Sequence, residues 1–371
     1  MRLLRSVLLC LLGVTVLMPS LSAQDPSGAP VFTKGEGGIH TYRIPAVVQT
    51  RSGVLLAFAE ARHGSASDTG DIDLVVKRSL DGGKTWGEMI TVWDDAGNVC
   101  GNPAPVVDRK TGRVVLLSTW NDGRDHESDI HKRKSLDTRR VFCFYSDDEG
   151  LSWSKPVEIT SQAKLPEWTW YATGPNHAVQ LPSGRILIPC NHGNFGGEST
   201  SHVIYSDDLG ASWHIGGETF TGNECTMARL PGGKLMLNMR KTSPERLQYG
   251  PGRLVAISRD KGLSFEPTYY EPALIEPVCN ASLINGSRRR PSRVLFFSNP
   301  EDPGKRVNLT LRMSRDAGKS WKRVATLTEG PAAYSDLVIL EGGDVGVLYE
   351  AGGSSPYEAI YFARLRRKDL K

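Results

Sequence analysis

The sequence has little cysteine and no CxxC spacing. Cys10 falls in the opening segment, and Cys100, Cys143, Cys190, Cys225 and Cys279 are scattered along the rest. An odd number limits the chain to two internal disulfides of unreadable connectivity, and buried free thiols are the expectation for most of them. There is no long amphipathic helical run, which argues against a helical fold. Charge of one sign is also lacking: 45 basic residues against 41 acidic ones leave a formal net charge of only +4. Nothing in that balance supports nucleic acid as a partner. No Ser/Pro-rich linker divides the chain, so the two domains that length alone would suggest are not marked. Outside the first residues, no apolar stretch is long enough to cross a bilayer as a helix.

The first residues read as an address. Arg2 and Arg5 form a basic start, Val7 to Met18 an apolar run too short for a comfortable span, and Ser20-Leu21-Ser22-Ala23 a small-residue cleavage site,. The expectation is a signal peptide over residues 1–23, a mature chain starting near Gln24, and a secreted or periplasmic protein without stable membrane insertion.

What the sequence does have is one short pattern written five times. Ser79-Leu80-Asp81-Gly82-Gly83-Lys84-Thr85-Trp86 returns at Ser146–Trp153, at Ser206–Trp213, in degraded form at Ser258–Phe265, and at Ser314–Trp321. The common form is S-x-D-x-G-x-[ST]-[WF]. The Asp carboxylate can accept backbone N–H groups two or three residues on, the Gly supplies a left-handed backbone angle, and the aromatic packs on a sheet. Each copy therefore reads as a hairpin between two strands, with strand-like runs such as Ile72–Val76 and His202–Tyr205 ahead of it,.

The copies start 52 to 67 residues apart. Self-similarity at that period signals a propeller, and four strands fit the length of a blade. With a 23-residue leader set aside, the 371-residue chain holds six units of about 58 residues,. The expected fold is all-β: a single six-bladed β-propeller over residues 24–371. Gly 39, Pro 22 and 39% hydrophobic residues suit a turn-rich sheet protein.

Three arginines stand at edges of apolar runs in different repeats. Arg43 lies in Thr41-Tyr42-Arg43-Ile44-Pro45, Arg240 ends Lys234–Arg240, and Arg306 precedes Val307–Leu311. In a propeller such edges converge on the axis. Guanidiniums meeting there would repel unless they share an anion, and Arg is the residue of choice for bidentate carboxylate recognition.

The Tyr-Arg-Ile-Pro run, the repeated box and these arginines together resemble the exo-α-sialidase (neuraminidase) family, whose Asp-box the repeat matches. The resemblance runs from about Val31 to Arg364. It implies that Arg43, Arg240 and Arg306 clamp a substrate carboxylate and that Arg62, in Glu60-Ala61-Arg62, contacts substrate as well. It places the catalytic Glu at Glu224, the Tyr nucleophile at Tyr334 and the carboxylate that steadies Arg43 at Glu350. Of Asp68, Asp71 and Asp73, it favours Asp68 as the acid/base, with Asp71 next. The implied reaction is retaining hydrolysis of terminal α-linked sialic acids from glycoproteins, glycolipids or oligosaccharides, with no cofactor and no metal. A catalytically inactive carbohydrate-binding propeller, and a trans- or intramolecular trans-sialidase of the same fold, are the alternatives.

Residues 121–140 are dense in charge and read as a solvated loop,. Asp125, His126, Glu127 and His131 there fit no standard metal spacing. Trp120, Trp168 and Trp170 read chiefly as packing residues. Asn280, Asn285 and Asn308 sit in glycosylation acceptor triplets,.

Overall fold

The computed structural model describes residues 26–242 and 248–370. The leader expected over residues 1–23 lies outside the described residues. The chain is all-β, with antiparallel groups of strands following one another in sequence order. Thr41–Gln49, Leu55–Arg62, Ile72–Ser79 and Ile90–Trp93 pair in turn. Val99–Val107, Val114–Asn121, Arg140–Ser146 and Val157–Glu158 do the same. One parallel bridge, Ile72 to Val99, links these two groups into an eight-stranded sheet.

Next come Tyr171–Thr173 and Val179–Gln180, both on Ile186–Gly193, followed by Ser199–Ser206 and His214–Glu218. The following sheet holds Cys225–Arg229, Leu235–Met239, Arg253–Ser258 and Tyr269–Glu271. The last, seven-stranded sheet runs from Ser282–Asn285 through Leu295–Pro300 and Val307–Ser314 to Lys322–Ile339. The 18-residue strand Lys322–Ile339 then pairs its second half with Val345–Ala351, which pairs with Ala359–Leu365. The N-terminal strand Ala29–Thr33 closes the sheet on Ala359–Leu365.

Both faces of these sheets are covered. Leu55–Arg62 is buried along its whole length, so it reads as an apolar run rather than an alternation,. Each apolar cluster lies between successive groups: Phe58 and Val76 against Leu116 and Phe144, Leu117 against Ile188, Leu187 against Leu237, Met236 and Phe297 with the intervening Ala281, and Leu311 against Val347. A further cluster joins the end to the beginning, setting Leu348 and Phe362 against Val47, Ala57 and Val75.

All five boxes share the core of one hydrogen-bond scheme: Ser hydroxyl to Asp, Gly N–H to Ser hydroxyl, and the later Ser or Thr N–H to Asp. In the first, Ser79 Oγ donates to Asp81, Gly83 N donates to Ser79 Oγ, and Lys84 N and Thr85 N donate to Asp81 Oδ1. The degraded copy at Asp260 has the same network. Gly83 has φ +91°, and a Cβ there would lie 2.1 Å from the Phe362 ring, so both conformation and space demand glycine,. Trp86 then packs edge-on against Phe362 across the seam.

The innermost strands are tied by Asp336, which is fully buried. Its Oδ2 accepts Val47 N and His177 N, and its Oδ1 accepts His177 Nδ1–H, Ser282 Oγ and Leu337 N. Buried polar groups are stable only when so satisfied. Replacing Asp336 by Ala strands donors from four stretches of chain and should cost about 3–5 kcal/mol. A urea unfolding curve with a large fall in midpoint and an unchanged slope checks this.

Candidate active site

Arg43 sits where Thr41–Gln49 breaks step. The register with Leu55–Arg62 shifts between Arg43 and Ala46, and Ile44 holds φ +59°. A β-branched residue in that region is a backbone outlier, and a bulge re-aims the side chain beside it. The outlier is held by Ile44 N donating to Glu350 Oε1 at 2.9 Å. Glu350, fully buried, also accepts Arg43 Nε at 3.1 Å, Arg43 Nη2 at 3.3 Å and Tyr334 N at 3.0 Å. One carboxylate therefore places both the arginine and the tyrosine.

Tyr334 is the point on which the guanidiniums converge. Its ring centroid lies 5.1 Å from Arg43 Cζ and 5.5 Å from Arg306 Cζ. Its hydroxyl oxygen accepts from Arg240 Nη1 at 3.1 Å and its proton is donated to Glu224 Oε1 at 2.5 Å. Arg240 Nη1 also pairs with Glu224 Oε2. Glu224 and Arg240 face each other because their backbones extend the Cys225–Arg229 and Leu235–Met239 ladder by one more bond, Arg240 N to Glu224 O. Arg306 donates to Tyr357 Oη at 2.8 Å and to Val278 O at 3.1 Å. Among the described residues no carboxylate forms an ion pair with it.

Burial, and then the charge of Glu224, push the Tyr334 phenol well above its ordinary pKa despite Arg240 and Arg306, so it rests as the neutral donor,. Burial works against the charge on Arg43, and Glu350 outweighs it, leaving that guanidinium firmly protonated. Arg240 is likewise penalised by burial and held charged by Glu224.

A second carboxylate–arginine unit stands beside the first. Arg62 forks onto Glu60 through Nη2 at 2.6 Å and Nε at 3.0 Å. Its Nη1 donates to Ala66 O and Ser67 O, which shapes the loop, and Nη2 pairs with Asp68 Oδ1 at 2.7 Å. Asp68 Oδ1 is also 3.8 Å from Arg43 Nη1, while its side chain stays 75% exposed at the rim. Lost hydration raises the Asp68 carboxyl, but Arg62 and Arg43 more than offset it and hold the pKa below the ordinary value. Asp73 instead pairs with His63 at 2.9 Å. Asp71, Asp73 and His63 bring potential ligand atoms within 4.8 Å of one another, the set among the described residues that could hold a cation.

The residues singled out in the sequence thus meet at one place: Arg43, Arg240, Arg306, Glu224, Tyr334 and Glu350, with Arg62 and Asp68 adjoining. Several neighbours carry no sequence signal. Tyr357 lies 4.2 Å from Arg43 Cζ and accepts from Arg306. Glu60 was legible in principle, being two residues from Arg62 on the same strand face.

The reading of residues 121–140 as a solvated loop holds only in part: Arg124, His126, Glu127, Lys132, Arg133 and Lys134 are exposed, but the segment is also folded on buried groups. Glu127–His131 is helical, and Asn121, Asp125 and Arg139 are buried. Asp125 accepts Leu136 N and Asp137 N, folding the segment on itself. Arg139 reaches Asn102, Asn121, Thr119 and Tyr171 O, and stacks 4.1 Å over Trp170. Composition misled at Asp125 and Arg139, whose charges are taken up by buried hydrogen bonds. Trp168 stacks on His192, and Trp120 donates to Asp95. Asn280 and Asn285 are buried with bonded amides, which rules them out as glycan acceptors in the folded chain. The five described cysteines are all free and buried.

A family model described as a BNR repeat-like domain matches residues 53–347. Sialidase-3 of Bos taurus is 30% identical over 92% of this chain and 93% of its own length. The chain belongs to the sialidase family. A sialidase of Bacteroides fragilis is 31% identical, with 92% of this chain covering 65% of that protein. One of Micromonospora viridifaciens is 30% identical, with 92% covering 55%. This family member therefore spans less than two thirds of those two bacterial relatives. Among solved structures, the Hadza microbial sialidase Hz136 superposes with a TM-score of 0.83 at 30% identity, over 93% of this chain and 69% of that one.

Replacing Arg62 by Ala should release Asp68, and loss of the opposing cation should raise its pKa toward or past the ordinary value of about 3.9. A carbon-13 carboxyl titration of the labelled chain reads the shift directly.

Proposed function

We propose that this chain is a retaining exo-α-sialidase acting on sialylated glycoproteins, glycolipids or oligosaccharides. The observation that carries the reading is the convergence of Arg43, Arg240 and Arg306 on a tyrosine already hydrogen-bonded to Glu224. The guanidiniums grip the substrate carboxylate and so fix the ring over Tyr334. Asp68, from the rim, protonates the leaving glycosidic oxygen. Glu224 takes the Tyr334 proton as the phenolate oxygen attacks the anomeric carbon, giving a covalent glycosyl-tyrosine. Water, deprotonated by Asp68, then attacks from the face the aglycone left as the glycosyl–tyrosine bond breaks, and Glu224 returns its proton to the departing phenolate, with net retention,.

A carboxylate nucleophile would meet the substrate's own carboxylate. At about 4 Å and an effective dielectric near 20, that repulsion is about 4 kcal/mol. A neutral phenol avoids it, and sialidases with a tyrosine nucleophile are the recognised exception to the two-carboxylate scheme. The low pKa of Asp68 in the open site suits a base more than an acid. Arrival of the substrate carboxylate neutralises Arg43, one of the cations that hold Asp68 down, and this raises its pKa when the proton is needed,.

The same reading includes a six-bladed propeller. Three features support it: the single bridge that divides the eight-stranded sheet, the shared strand Lys322–Ile339 that divides the seven-stranded one, and the apolar cluster that joins last group to first. It also includes cleavage of residues 1–23 and export of the remainder. For the described residues, no helix is long and apolar enough to cross a membrane.

Three outcomes follow on a fluorogenic α-sialoside. Tyr334→Phe should lower kcat by about 10³-fold or more with the fold intact. Arg306→Ala should act mainly on KM, with a loss in kcat/KM of about 10²-fold. Proton NMR should show the α-anomer of free sialic acid as the first product. Unchanged turnover by Tyr334→Phe sinks the mechanism. With excess lactose present, a sialylated trisaccharide as main product would make the enzyme a transferase.

A further inference from the structure

The strands that carry the site have other ends, and those ends build a second concavity. Thr41–Gln49 begins near Arg43 and finishes at Gln49; the strand after Glu224 finishes at Arg229; Lys322–Ile339 passes from Tyr334 to Ile339. Gln49, Arg229 and Ile339 all line a cavity of about 1050 Å³. It lies across the ring of inner strands from Tyr334, and Asp336 and His177 form part of the partition.

The chemistry of this cavity is one-sided. Arg51, Arg109, Arg229, Arg288, Arg289 and Arg367 line it, with Glu341 as the carboxylate among its lining residues and no lysine. Among the described residues, none of the six arginines forms an ion pair. Those with partners use neutral oxygens: Arg229 donates to the carbonyls of Arg288 and Arg289, Arg288 to Gln49 Oε1, Arg51 to Lys110 O and Arg367 to Gly286 O. Asp108, next to Arg109, is turned into Thr111 and Gln180. Burial, and then the charge of Arg109, hold the Arg229 guanidinium down to about 10. Burial and Arg288 lower Arg109 in the same way. In a chain whose formal charge nearly balances, cations gathered against one another mark a place where an anion is stabilised.

The form of the cavity narrows the class of anion. Guanidinium forks match tetrahedral oxyanions two bonds at a time, and several forks favour several oxyanions. The floor is apolar, with Val106, Val179, Met227 and Val338 beneath the arginines, which suits the faces of a sugar ring. The volume is at the upper end of the range for small-ligand sites, about 300–1,000 Å³. The geometry points to a second binding site, on the face opposite Tyr334, for a sugar-sized polyanion carrying two or more sulfate or phosphate groups. It stands independently of the proposed hydrolysis.

Calorimetric titration of the full chain with sucrose octasulfate, and in parallel with inorganic tripolyphosphate, tests the assignment. One-to-one binding of the octasulfate is expected, tighter than that of tripolyphosphate and weakened by added salt. The double variant Arg109→Ala/Arg288→Ala should lose about tenfold or more in affinity, while its circular dichroism and sialoside turnover match those of the parent. Tyr334→Phe and saturating sialic acid should leave the binding unchanged. No one-to-one binding, equal affinity in the double variant, or displacement by sialic acid overturns the site. Tighter binding of tripolyphosphate overturns the assignment to a sugar body.

Discussion

A buried carboxylate is tolerable only when its oxygens are fully occupied, and Glu350 meets that condition with groups from opposite ends of the chain. Arg43 and Ile44 come from the first sheet and Tyr334 N from the last. Joining the two ends of the chain and assembling the reactive centre are thus one event. An imperfect closure would leave a desolvated charge without partners, so the alternatives to the native arrangement are penalised at the place where chemistry is to occur.

The same economy recurs at Glu60, which holds Arg62 and accepts Asn102 N from the neighbouring group of strands. A Cβ on Gly101 would lie 2.4 Å from Glu60 Oε1, so the glycine leaves room for this carboxylate. Each unit couples a buried carboxylate to an arginine and lets that arginine position a further group. Glu350 aims Arg43 at the Tyr334 ring. Glu60 aims Arg62 at the backbone of residues 66–67 and at Asp68. The Asp68 carboxylate is thereby held on an exposed loop by two guanidiniums.

Much of this was legible in the residues. The boxes announced strand-turn-strand repeats because Ser, Asp and Gly at fixed offsets impose one hydrogen-bond scheme, and Asp260 keeps it in the degraded copy. The arginines were conspicuous as lone charges at the edges of apolar runs. Tyr357 was not, since an exposed-looking Tyr in a Gly/Ser/Pro stretch has no local mark, and its partners lie in other sheets. Asp336 carries no local mark either, though it binds groups from as far as residue 47. Arg139 was hidden among exposed charges, and its partners Asn102 and Tyr171 O lie outside that segment. Local pattern reports hydrogen bonds made within a few residues; it is silent on partners that only the closed ring brings near.

The pairing of Ala29–Thr33 with Ala359–Leu365 has a temporal side. Ala29–Thr33 leaves the ribosome well ahead of its mate, since Thr33 and its partner Ala359 are 326 positions apart (359 minus 33). At synthesis rates of about 5–20 residues per second, it waits roughly a quarter of a minute to a minute with its ladder groups unmatched. Until then the nascent polypeptide presents a bare β-edge, open to wrong partners. Cellular yield should therefore depend on whatever shields that edge during translation, even for a product that is robust once complete.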